Sequence, residues 1–315
     1  MSSTVADAAD ERAPSGAPPA AKALSSTLLS LVRRELWEHR ALWLGPTVVA
    51  GLIVLGALTA SVKYRAPNLD MSGDEGPWHG MAMFGVMQGS VTMPLALVTT
   101  IVLVFYLLDC LYAERKDRSI LFWKSLPVSD GLTVLSKLLV ALLLVPLGVF
   151  ALGLVLSLAL TGLWQVNAFL GRLPVIPGWD MAGWLQTELA LLLCFLVGAL
   201  WYAPCAAYLL LVSAWARRNP FLWLTLPPVA AQILERVAFG THYVAGFIGY
   251  RLFGIWPKLF GHMHFGRGRA HLLGSALAQL DLGAALADLD LWLGLAAAAG
   301  LTFAAIRIRR YRDDT

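Results

Sequence analysis

The chain has 315 residues, 58% of them hydrophobic and only 14% charged, with a formal net charge of +4 at pH 7. That balance excludes a soluble globular domain and a disordered polyelectrolyte, and it matches a polytopic helical membrane protein. The positive charges sit in short clusters beside apolar runs rather than in a stripe interleaved with exposed aromatics, so nothing points to a nucleic-acid partner.

Residues 1–23 are mostly Ala, Ser, Pro and Asp, the composition of a disordered tail. No apolar core follows a basic start there, so the segment does not read as a secretory signal. Over 24–40, Leu24, Leu28, Leu31, Val32 and Leu36 recur at helical spacing, with Ser30, Arg33, Arg34 and Glu38 on the other side. This pattern predicts an amphipathic helix lying in the membrane interface. Six apolar stretches of roughly 20 residues follow, at 42–62, 91–111, 134–160, 185–211, 221–239 and 291–308, each long enough to cross a bilayer.

Orientation comes from the basic residues. Arg33, Arg34 and Arg40 precede the first span, and Arg115, Lys116, Arg118 and Lys124 lie between the second and third. Arg217 and Arg218 lie between the fourth and fifth, and Arg307, Arg309, Arg310 and Arg312 end the sixth. With six spans these groups and both termini share one side, which the positive-inside rule makes cytoplasmic.

Pro94 is expected in the first turn of the second span, where its missing N–H costs nothing. The stretch 114–130 is the most distinctive: Glu114-Arg-Lys-Asp-Arg alternates in charge, and Ile120, Leu121, Phe122, Trp123 and Leu126 follow before Pro127. It reads as a short amphipathic helix whose bulky apolar residues have no obvious core of their own, with Ser129 or Asp130 capping the next helix. Pro146 predicts a kink in the third span, and Pro204 lies in the fourth. Trp179 and Trp184 suit an aromatic belt at the outer interface. Pro227-Pro228 is expected to interrupt the fifth span, with Glu235-Arg236 near its outer end. Residues 241–261 are aromatic and Gly-rich with Arg251 and Lys258 embedded, which fits a re-entrant or interfacial hairpin on the outer side better than a seventh span. The Ala- and Gly-rich sixth span is expected at a helix–helix seam, with Gly294 and Gly300 permitting close approach.

The chain contains no Gly-Lys dipeptide, so it cannot supply a Walker A loop; any ATP hydrolysis belongs to another chain. Three cysteines, Cys110, Cys194 and Cys205, lie inside apolar spans and read as packed thiols. His262, His264 and His271 cluster in an external loop, but Arg267 and Arg269 beside them would repel a metal cation. Glu235 and Arg236 are the candidate outer gate, with interfacial anchoring as the plainer reading.

The stretch from Glu114 through Leu126-Pro127-Val128-Ser129 to Lys137 resembles the loop between the second and third membrane helices of ABC-2 type transporter permeases. The amphipathic helix at 24–40 is similar to that family's elbow helix, and the six-span plan with an outer hairpin at 240–288 is similar as well. The Arg-Lys-Asp-Arg run is more heavily charged than the family's usual loop.

The resemblance implies an all-α transmembrane domain over 24–315 in the cell membrane, with both termini cytoplasmic. Two such subunits, the same or homologous, would form an export pathway, each resting on a separate ABC ATPase subunit that binds ATP and Mg; this chain would carry no cofactor. Residues 114–127 would form the coupling helix. Ile120, Phe122, Trp123 and Leu126 would enter a cleft on the ATPase, and Glu114, Arg115, Lys116 and Arg118 would contact its surface. Two other classes stay open: a secondary transporter or channel, and a membrane-embedded metal-dependent enzyme. The scarcity of ionisable residues in the spans before Glu235 speaks against ion-coupled transport.

Overall fold

Backbone groups in a lipid environment must be satisfied internally, and the apolar runs of this chain do so as helices. The computed structural model describes residues 20–63, 78–117, 128–173, 180–259 and 280–311, which contain helices and turns and no strand. In chain order the helices are α1 (Ala20–Glu38), α2 (Ala41–Lys63), α3 (Trp78–Asp109), α4 (Tyr112–Lys116), α5 (Asp130–Leu139), α6 (Val145–Phe169) and α7 (Met181–Trp215). They continue as α8 (Pro220–Phe239), α9 (Tyr243–Phe253), α10 (Ile255–Leu259), α11 (Leu282–Ala287) and α12 (Leu289–Tyr311).

Among the described residues five segments are long and apolar enough to cross a membrane: Ala41–Lys63, Met87–Lys116, Asp130–Phe169, Met181–Trp215 and Leu289–Tyr311. They carry five of the six expected spans, the pattern of a multi-pass membrane protein. The sixth, α8, is helical over the expected residues, but Gln232, Glu235 and Arg236 lower its hydropathy, and it is not among these five. Large apolar side chains such as Leu52, Leu97, Val155, Leu185 and Trp292 face outward, as a lipid-facing surface requires.

Helix α7 is the central post. Helix α12 runs along it, α3 and α6 pack beside it, and α2 leans on α3 and α6. The α7–α12 seam buries Ala203, Ala207 and Ala298, so small residues bring these two helices close, as expected for the last span. The two glycines behave differently. A Cβ at Gly294 would collide with the Arg251 guanidinium, whereas one at Gly300 would meet open space, so Gly300 plays no part in a close contact.

The prolines mark where local rules and tertiary structure meet. Ser129 is the N-cap of α5, its hydroxyl accepting from the Leu132 N–H at 3.2 Å, as its position after Pro127 predicts. The helix begun by α5 then passes through a π-helical turn, Val140–Leu144, just before Pro146. The π turn lies where the third span is expected to kink, beside Pro146. Pro94 departs from expectation: α3 starts at Trp78, so the proline lies inside the helix rather than in its first turn. Pro227-Pro228 does not interrupt α8 either, which runs unbroken to Gly240, its left-handed C-cap at φ 67°. Pro228 cannot donate to the Leu224 carbonyl one turn earlier, and the Tyr208 hydroxyl of α7 donates to that carbonyl instead, at 3.3 Å.

Residues 1–19 of the expected tail lie outside the described residues; α1 begins at Ala20 rather than Leu24. The loop 68–80 lies outside them up to residue 77, and 260–279 does as well. Residues 241–259 form the two short helices α9 and α10, which pack against α7, with α11 against α10.

Candidate functional site

The amphipathic pattern of α1 turns Leu31 and Val32 toward the bundle, and Glu35, one turn further on that face, goes in with them at 1% exposure. A carboxylate there needs a cation. Lys137, on α5 and fully buried, supplies it: its Nζ lies 2.7 Å from Glu35 Oε1 and 3.1 Å from Glu114 Oε1. Glu114, on α4, is also reached by Arg34 Nη2 at 3.1 Å and by Arg309 Nη1, and Arg309 Nε bonds Asp130 Oδ1 at 3.0 Å. The Tyr106 hydroxyl donates to Glu35 Oε2 at 3.0 Å. Glu35, Glu114 and Asp130 thus meet Lys137, Arg34 and Arg309 where α1, α4, α5 and α12 come together, and Arg34 Nε also pairs with Glu38 at 3.1 Å.

His39 stands at the edge of this network, between α1 and α2, with its ring edge-on to Tyr106 at 4.8 Å. Burial lowers its pKa from the ordinary 6.5; the Glu35 carboxylate opposes that shift and Lys137 reinforces it. At neutral pH the imidazole is uncharged.

The expected coupling residues separate into distinct places. Glu114 faces the ion network at 7% exposure and not an outer surface, because Lys137, Arg34 and Arg309 surround it. Arg115 Nη2 donates to the carbonyls of Ser213, at 2.6 Å, and Ala216, at 2.9 Å, and so closes the C-terminus of α7. The Ser213 hydroxyl accepts in turn from the N–H groups of Leu111, at 3.1 Å, and Tyr112, at 3.0 Å. Lys116 is exposed. Arg118, Ile120, Phe122, Trp123 and Leu126 lie outside the described residues.

At the opposite end of the bundle, Glu235 forms the corner between α8 and α9. Its carboxylate accepts from the Thr241 hydroxyl at 2.6 Å and from the backbone N–H groups of Tyr243, at 2.5 Å, and Val244, at 2.8 Å. It closes the start of α9, while its neighbour Arg236 is exposed. The two do not form an ion pair, as their adjacent positions predict.

Arg251 carries the attachment of α9 to the bundle. Its guanidinium lies 4.4 Å from the centre of the buried Trp201 ring and donates to the carbonyls of Trp201, at 2.7 Å, and Asp290, at 3.2 Å. The Trp201 indole N–H returns a bond to the Arg251 carbonyl at 2.8 Å. His262, His264 and His271 lie outside the described residues, and among the described residues no three His, Cys, Asp or Glu side chains gather as metal ligands.

Sequence reasoning passed over four buried polar residues. Glu35 was hidden in an amphipathic face defined by its apolar members, and Ser213 lay just past the end of the fourth expected span. Glu188 and Gln88 lie in or beside apolar runs and meet across the bundle, Gln88 Nε2 donating to Glu188 Oε1 at 2.7 Å. Glu188 corrects the expectation that the spans hold almost no ionisable residue before Glu235: it lies in the candidate span Met181–Trp215 and is 2% exposed. Its charged type was the one available signal.

Set against known proteins, the chain matches no family model, no curated protein and no solved structure.

Proposed function

We propose that this chain is the membrane subunit of an ABC exporter of the ABC-2 type, paired with a second permease subunit and driven by a separate ATPase that holds ATP and Mg. In this reading α8 is the sixth span, α9 and α10 belong to an outer hairpin, and both termini are cytoplasmic. The supporting observation is the convergence of Glu114 and Lys137. They flank the segment 118–127, and each is tied into one buried network with Glu35 of α1 and Arg309 of α12. A push on that segment would be felt at once by the interfacial helix and by two membrane helices, which is what coupling to a motor requires. The test is purification of the full chain from its native membrane and assay for ATP hydrolysis by an accompanying subunit.

A second reading has one observation in its favour. A buried carboxyl in a membrane helix is a common feature of ion-coupled transporters, and Glu188 is such a group. Transport driven by a proton gradient in liposomes without ATP would select it.

A further inference from the structure

We propose that the outward face of α1 is a binding surface for anionic phospholipid, drawn from the leaflet that α2 enters. This surface needs only the multi-pass membrane fold and is independent of any ATPase partner. The two faces of α1 exchange their expected roles. The apolar face, which the sequence marks for the membrane interface, is taken up by the bundle: Leu31 and Val32 are buried, and Leu36 packs against the main core. The opposite face is left for the lipid.

Leu29, Arg33 and Trp37 follow one another at four-residue intervals and so form one stripe along α1. All three are exposed, Leu29 at 70% and Trp37 at 64%. Only His39 and Arg40 separate α1 from α2, and the Arg40 carbonyl accepts from the Leu44 N–H at 3.0 Å, which makes the corner tight. Arg40, Trp43 and Leu44 are exposed on its far side. Because α2 is long and apolar enough to cross a membrane, this corner lies where a span enters the lipid, the level at which tryptophan and arginine meet headgroups.

Charge selects the lipid. Arg33 and Arg40 form no ion pair and no side-chain hydrogen bond among the described residues, although Glu35 and Glu38 are close in sequence. Those carboxylates are committed elsewhere, Glu35 to Lys137 and Glu38 to Arg34, while Glu114 is held by Lys137, Arg34 and Arg309. The buried network therefore takes up the acids and leaves two guanidinium groups outside, each with a forked set of donors that matches a phosphodiester. A zwitterionic headgroup carries its own ammonium, which the arginines repel. The headgroup of phosphatidylglycerol presents its phosphate with no cation attached. Leu29, Trp37 and Trp43 supply the apolar half of the contact, reaching toward the acyl chains while the arginines hold the phosphates.

The experiment uses the full chain reconstituted in vesicles of equal parts phosphatidylglycerol and phosphatidylcholine, with bromine on the acyl chains of one lipid or the other. Bromine quenches tryptophan fluorescence on contact, and the difference between each protein and the same protein carrying Trp37→Phe isolates the Trp37 signal. The expected result is stronger quenching of Trp37 when phosphatidylglycerol carries the bromine. Added salt should weaken that preference, and each of Arg33→Gln and Arg40→Gln should reduce it by about fivefold. Both arginines are exposed and unbonded, so these variants keep the fold, and an unchanged melting temperature checks that. Equal quenching by the two lipids in the wild type overturns the proposal. A preference that survives Arg33→Gln combined with Arg40→Gln also overturns it. Quenching by neither lipid does the same, because the face would then be covered by protein.

Discussion

Lys137 bridges Glu35 and Glu114, reaching the first at 2.7 Å and the second at 3.1 Å, and so ties the helix before the first span to the root of the segment 118–127. Removing one member of such a buried set leaves the others uncompensated. Lys137→Met is therefore expected to destabilise the folded protein by about 3–5 kcal/mol, the range for breaking a buried pair from one side. Lys137→Met combined with Glu35→Gln should recover part of that loss, because the double change removes charge of both signs. Thermal unfolding of the two variants in detergent measures the difference; equal losses would show that Glu35 and Lys137 do not act together.

Gly294 and Gly300 lie on the same helix, α12, and have opposite surroundings. Gly294→Leu would displace the Arg251 guanidinium from its place against Trp201 and Asp290, and should loosen α9 and α10 from the bundle. Gly300→Leu points into open space and should be tolerated. Limited proteolysis within 240–259 reads the first effect, with the Gly300 variant cleaved as slowly as the wild type.

His39 gives a pH dependence with a definite sign. Its pKa is lowered in the folded protein, first by burial, from the ordinary 6.5, so the unfolded chain takes up its proton at a higher pH than the folded one. The stability that the neutral ring contributes is whole above 6.5 and is lost as pH falls from 6.5 through the folded value. His39→Gln should flatten this part of the stability profile. Melting temperatures followed downward from neutral pH check it, and an unchanged slope would contradict it.

Tyr208 stands in for the backbone donor that Pro228 lacks. Tyr208→Phe leaves the Leu224 carbonyl without that partner and should cost about 1 kcal/mol, the ordinary net value of one hydrogen bond. Amide exchange in α8 would speed up selectively while α12 remained as protected as before.

The helical class and five of the spans were legible because apolar length is a local property, readable without knowing any neighbour. The Ser129 cap was legible for the same reason: Pro127 and the following apolar period announce a helix start. The ion network was legible only in part. Glu114 and Lys137 stand out by motif, but Glu35 becomes meaningful only when α1 is packed on α5, and in the sequence Arg309 is a topology signal alone. Glu188 escaped because its partner Gln88 comes from another helix. Pro227-Pro228 misled because the compensating hydroxyl, Tyr208, belongs to the preceding helix, on the far side of the turn at Asn219. In each case the missing information was a contact between distant parts of the chain.

The decisive experiment on coupling to a motor uses Trp123→Ala, a change in the sequence between Glu114 and Lys137. The full chain and this variant are purified from native membranes, matched for melting temperature, and assayed for ATP hydrolysis by the accompanying subunit. ATPase activity is expected with the wild type, and its loss, or its release from control by the membrane subunit, with Trp123→Ala. A wild-type preparation without any ATP-hydrolysing partner, or a variant that keeps the partner and its regulated activity unchanged, would contradict the coupling role.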